Sequence, residues 1–210
     1  MRRKYILGYG VAAILLITAA GWFFRPLWRN TFVYEPQTGD ILFQSLPRNA
    51  LVDAIEGMTG SRYSHCGIVD RRDGAWVVIE ALGTVHATPL GEWMRRGHGA
   101  GVAAYRYDLD AVQTARLLTA IQAFDGVPYD IHYAPDDARI YCSELVWKGF
   151  HNGLGLDLGT FVRLGDLNWK PYEETITRIE QGPVPVDRPL ITPVALTRDP
   201  RLSLVFSSFE

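Results

Sequence analysis

Hydrophobic and polar positions follow helical or strand periods along most of the chain, but the first stretch follows neither. Residues 5–24, YILGYGVAAILLITAAGWFF, carry no charge and stand behind the basic MRRK. About 20 such residues, wound as a helix, span a hydrocarbon core of roughly 30 Å. A membrane anchor over residues 1–30 is expected, with a cleaved signal peptide as the alternative. Thr18, Ala19 and Ala20 offer a small-residue cleavage site, but the apolar run continues through Trp22, Phe23 and Phe24, which suit a membrane interface. Arg2, Arg3 and Lys4 outweigh Arg25 and Arg29, so residues 31–210 are expected on the periplasmic or extracytoplasmic side, tethered to the inner membrane in a Gram-negative cell.

Beyond the anchor the pattern becomes mixed. A Gly-Asp turn at Gly39-Asp40 leads into a short strand over residues 41–44. Leu51, Val52, Ile55 and Met58 recur at helical spacing, closed by Gly60. Two runs rich in Val and Ile flank RRDG, residues 71–74, and predict a hairpin. The segment LDAVQTARLLTAIQAFDG predicts a helix capped by Asp110, with Gln113 completing a capping box. Val112, Ala115, Leu118 and Ile121 or Gln122 mark its faces, and Gly126 with Pro128 stops it. A loop follows, and then a second helix over residues 141–150 that Asn152-Gly153 is expected to end. The remainder is punctuated by Gly and Pro and closes in a strand, LSLVFSSF. This intermixed order predicts an α+β fold with antiparallel pairing.

Composition changes this picture little. Hydrophobic residues make up 48% of the chain, enough for one sizeable core, and the net charge of −2 gives no reason to expect nucleic acid. No cofactor motif is recognisable.

The two cysteines, Cys66 and Cys142, carry more information. Cys142 falls in the first turn of its predicted helix, where free N–H groups and the positive end of the dipole favour a thiolate. A nucleophilic thiol also needs a base and a group to orient that base. Hairpin parity supplies a candidate pair. A four-residue loop sets His65 opposite Glu80, and a two-residue turn at Asp73-Gly74 sets it opposite Leu82, with Glu80 opposite Gly67. Either way His65 and Glu80 share a face. The plainer alternative is an exposed His/Glu pair on a solvated face. By the same parity Cys66 points away with Ile68, as a core residue outside the chemistry. A Cys66–Cys142 disulfide is the rival reading in an oxidising compartment.

In chain order, GDILFQ, YSHCGIV, VVIEA, DGVPYD and YCSELV resemble the YiiX/YebB-like group of circularly permuted NlpC-type papain-like cysteine hydrolases. The closing ITPVALTRDPRLSLVFSSF is also similar to that group's C-terminal segment. The resemblance covers nearly everything from Gly39 onward. It implies an antiparallel sheet packed on helices, with the His strand first and the Cys helix later. It also implies Cys142 as nucleophile, His65 as general base and Glu80 as third member. Tyr129, thirteen residues before Cys142, matches a tyrosine that helps form the oxyanion site. One departure is Cys66 itself, where a small apolar residue such as valine is more usual.

The expected activity is a membrane-tethered cysteine hydrolase that cleaves an amide or ester through a thioester. The substrate would be a peptide, a peptidoglycan peptide or an acyl lipid of the cell envelope. A non-catalytic module of the same fold, binding such a peptide or acyl chain, is the alternative. A metal site drawn from His65, Glu80, His86 or His98 lacks familiar ligand spacings, and His132 and His151 belong to no constellation.

Overall fold

The computed structural model describes residues 34–209 apart from Pro135. The expected anchor lies outside these residues, and among them no helix is long and apolar enough to cross a membrane. An antiparallel six-stranded sheet organises the chain, in the order β4-β3-β2-β1-β5-β8. Its strands are β1 (Ile41–Gln44), β2 (His65–Arg72), β3 (Ala75–Leu82), β4 (Thr84–Pro89), β5 (Val102–Arg106) and β8 (Ser203–Ser207). A separate pair joins β6 (Val162–Arg163) to β7 (Pro189–Leu190). The helices are α1 (Ala50–Thr59), α2 (Leu90–Arg96), α3 (Ala111–Gln122), α4 (Cys142–Leu154), α5 (Glu173–Glu180) and α6 (Pro193–Thr197).

Local signals account for several of these boundaries. Asn49 caps α1 by accepting from the backbone N–H groups of Leu51 and Val52, and Gly60 ends it in the left-handed region. The hairpin closes with a two-residue turn, because Asp73 and Gly74 both take positive φ and Arg72 pairs with Ala75. Continued one residue past the last pair, Ile68↔Ile79, this register sets Glu80 beside Gly67. A side chain on Gly67 would collide with Val78, the Ile79 carbonyl and Glu80, so glycine is needed there. The Asp40 carboxylate is buried and accepts from Tyr34 Oη, the Gln37 N–H and two guanidinium nitrogens of Arg106, tying β1 to β5.

The capping box at Asp110 and Gln113 forms as expected. The apolar face of α3 does not: Leu117 and Ile121 are buried, while Val112 is 63% exposed. The α4 helix also runs past Asn152-Gly153 and ends at Gly155 in the left-handed conformation. The reason is packing. A Cβ on Gly149 would strike the Ile121 side chain, and one on Gly153 would strike the Arg116 backbone. These glycines are where α3 and α4 approach closely, and neither is a stop.

The sheet has two covered faces. On one, Ile41, Phe43, Cys66, Ile68, Ile79 and Ala81 meet Leu145, Val146 and Phe150 of α4. On the other, Leu42, Val69 and Val78 meet Trp93 and Met94 of α2. A third cluster, around Leu164, Ile176 and Leu190, joins α5 to the β6–β7 pair.

Candidate active site

His65 opens β2 and Glu80 lies near the end of β3, both on the face that α2 covers. Their side chains meet: His65 Nε2 lies 2.5 Å from Glu80 Oε2, with both residues almost wholly buried. This carboxylate is well supplied. Oε2 also accepts from Trp93 Nε1 at 3.0 Å and Arg96 Nη2 at 2.5 Å, and Oε1 accepts from Thr88 Oγ1 at 2.6 Å. Burial alone would raise the Glu80 pKa, but the bond and charge of His65, with Arg96 and Thr88, bring it down to about 2. A carboxylate fixed in this way holds the imidazole in one tautomer and one orientation.

Cys142 is the first residue of α4 and lies 3% exposed. Its helix packs on the opposite sheet face, and its side chain nevertheless hydrogen-bonds His65 at the start of β2. The β2–β3 ladder runs from Arg72↔Ala75 to Ile68↔Ile79, and His65 lies beyond its last pair. Cys142 and His65 act on each other. Burial disfavours the imidazolium, yet the Cys142 charge, with Glu80 behind it, raises His65 to about 9. The Cys142 thiol is held well below its ordinary range, first by a hydrogen bond from the Cys66 thiol and then, against burial, by His65. Each of the two groups thus favours the charged form of the other. With Nε2 committed to Glu80, Nδ1 is the ring nitrogen left to face Cys142.

Cys66 requires a correction. It is a fully buried core residue, and both cysteines are free thiols, so no disulfide joins them in this structure. It is not outside the chemistry, however: its thiol and its backbone N–H both address the Cys142 sulfur. Parity assigned Cys66 to the face opposite His65 correctly. That face is the one α4 covers, and a sulfur at the start of β2 meets both neighbours.

Tyr129 stands beside Cys142, in a parallel bridge with Ile140. Its hydroxyl lies 3.1 Å from that of Tyr133, and burial, Tyr133 and the Cys142 charge raise its pKa. Tyr133, at φ 54°, stacks obliquely on Tyr141. Asp130 holds this loop by accepting from the N–H groups of His132 and Ala134. The C-terminal half fastens the helix start, as the Ile191 N–H donates to Tyr141 Oη and Ser143 Oγ donates to the Ile191 carbonyl. Trp93, Arg96, Thr88 and Tyr133 escaped the sequence reading. Trp93 and Arg96 stand three apart, as on one helix face, but nothing in the sequence says which carboxylate that face covers.

A mainly apolar pocket opens from Cys142. Leu51, Ile55 and Met58 of α1, Ile176 and Ile179 of α5, and Leu190 line it, with Glu180 and His132 among its few polar groups.

The family model for the permuted papain-like amidases, YaeF/YiiX, C92 family, matches residues 35–206. The chain belongs to this family. It is 33% identical over 178 residues to the uncharacterized protein YiiX of Escherichia coli strain K12, covering 83% of this chain and 88% of that one. A crystal structure described as the metalloprotein YiiX from Escherichia coli O157:H7 superposes with a TM-score of 0.80 at 31% identity. That match covers 84% of this chain and all of the other. The permuted papain-like fold follows, and with it a cysteine-type amidase or peptidase class.

Proposed function

We propose that this protein is a cysteine hydrolase in which Cys142 attacks the carbonyl carbon of an amide or ester. The observation that carries the proposal is the series Cys142–His65–Glu80, a thiol at a helix N-terminus that hydrogen-bonds an imidazole whose far nitrogen is bonded to a buried carboxylate. In the first step sulfur bonds to the carbonyl carbon. The free N–H groups of the first turn of α4 and the Tyr129 hydroxyl stabilise the oxyanion. His65 then donates its proton to the leaving group, and a thioester remains. Water or another acceptor, deprotonated by His65, attacks the thioester and releases Cys142.

The lining of the pocket favours an acyl chain over a polar peptide. A peptide brings backbone groups that need hydrogen-bond partners, and these walls offer few. An apolar N-terminal run in the same chain suits a substrate drawn from the membrane, with the domain tethered on the extracytoplasmic side.

Metal chemistry has less support. Among the described residues no group of three or more His, Cys, Asp or Glu is placed to hold an ion. Glu80 is filled by four donors, and His86 Nε2 stays 3.8 Å from it. The residues present do not fit a metal at this site.

Covalent labelling by a thiol-reactive long-chain acyl probe tests the proposal. Labelling of Cys142 well above the rate of a surface thiol, and its loss in His65→Ala, are expected. If Cys142 labels no faster than a surface thiol and His65→Ala changes nothing, the non-catalytic binding module takes its place.

A further inference from the structure

The two cysteine thiols, from residues 66 and 142, meet in a hydrogen bond inside one buried cluster. Cys66 is sealed at 0% exposure inside the cluster that α4 buries against β2, whereas Cys142 also lines the pocket. The first is shielded from solutes that the second can meet. Hydrolysis as proposed gives the Cys66 thiol no step of its own.

We propose that Cys66 is the resolving thiol of Cys142: when a hydroperoxide oxidises Cys142, Cys66 captures it as an intramolecular Cys66–Cys142 disulfide that a dithiol can reopen. This rests on the reactivity of Cys142 that the hydrolase reading also invokes, but not on any substrate. First the Cys142 thiolate attacks one peroxide oxygen. The S–O bond forms, the O–O bond breaks and hydroxide (or alkoxide) leaves, so the sulfur loses two electrons that the peroxide gains. The Cys66 sulfur then attacks the sulfenic sulfur. An S–S bond forms, the S–O bond breaks, and the departing hydroxide takes the Cys66 proton and leaves as water. A dithiol returns two electrons, restores both thiols and departs as its own disulfide.

The order of events follows from the site. Burial and the neighbouring Cys142 charge keep Cys66 protonated, so it does not compete for peroxide. The oxidised Cys142 no longer carries that charge, and the barrier to ionising Cys66 falls. Without a resolving thiol, a sulfenic acid in a reactive pocket proceeds to the irreversible sulfinic and sulfonic acids. The price of the device is temporary loss of the nucleophile.

The test treats the purified full chain with a small excess of hydrogen peroxide, then alkylates free thiols and digests without reduction for mass spectrometry. The expected product is a cross-linked peptide pair joining Cys66 to Cys142, two hydrogens lighter than the reduced chain and fully recovered by dithiothreitol. In Cys66→Ser and Cys66→Ala, of the Cys142 that is oxidised, the share carrying two or three oxygens should be about tenfold the wild-type share. Equal overoxidation in the wild type and in a folded variant, or no cross-link in the wild type, would overturn the proposal. The wild-type cross-link decides the matter even if both variants fail to fold. Acyl-probe labelling in parallel separates the two readings. Rapid labelling without a cross-link sinks only the resolving role, and a cross-link without labelling sinks only the hydrolase.

Discussion

At the scale of single residues, charge placement at Cys142, His65 and Glu80 determines how the site depends on pH. The reactive form pairs a thiolate with an imidazolium. It is filled once pH exceeds the depressed Cys142 value and is lost when His65 deprotonates near 9. Activity (kcat/KM) toward an acyl ester should hold through neutral pH and fall on an alkaline limb at about pH 9. A rate that instead climbs through the ordinary thiol range, about 8.5, would mean Cys142 is not paired in this way. Replacing Glu80 by Gln keeps the shape but removes the charge that stabilises the imidazolium. A loss on the order of 10²–10⁴ in kcat, with KM little changed, is expected from steady-state kinetics. Glu80 also links stability to acid. Its folded pKa of about 2 lies below its ordinary 4.5, so its contribution is complete above pH 4.5 and lost as pH falls towards 2. That contribution is on the order of 3 kcal/mol. Urea unfolding from pH 6 down to 3 should show the decline in the wild type and a flatter profile in Glu80→Gln.

At the scale of elements, glycines decide how closely the backbones approach. Gly149 and Gly153 let α4 lie against α3, and an added Cβ meets Ile121 in the first case and the Arg116 backbone at 2.8 Å in the second. Side chains can shift but backbone cannot. Gly153→Ala should therefore cost more than Gly149→Ala, with an overpacking penalty of about 1–3 kcal/mol. Thermal melting of the two variants checks the order, and equal Tm values would count against it. This contact also shows where the sequence misleads. Asn152-Gly153 has the composition of a helix stop, and only the neighbouring helix reveals that the glycine is there for clearance. Val112 is the converse case, since its spacing on α3 suggested burial and the fold left that side of the helix without a partner.

At the scale of the whole molecule, the pocket is built from distant parts of the chain, with α1 and α5 forming its walls and Cys142 opening into it. Filling it should change which substrates are handled and leave the nucleophile intact. Met58→Trp or Ile176→Trp is expected to raise KM for a long-chain acyl ester by about tenfold, and to leave a short-chain ester within about twofold. Kinetics over a chain-length series measures this. A uniform loss across the series would place the acyl chain elsewhere.

What the sequence determined by itself was what depends on local chemistry and on period. The capped α3, the closing residues of α1, the hairpin and the start of α4 beside Cys142 were all legible there. So was the pairing of His65 with Glu80, because side chains on paired strands keep a period of two through either even-length turn. Tertiary structure alone decided what lies around that pair. It placed Trp93, Arg96 and Thr88 on the carboxylate, brought the Cys66 thiol to the Cys142 sulfur, and set α5 across from α1 to make a pocket. Alternation says which face a side chain takes but not which element covers that face. At the start of β2, beyond its last pair with β3, a helix N-terminus touches residues from both faces.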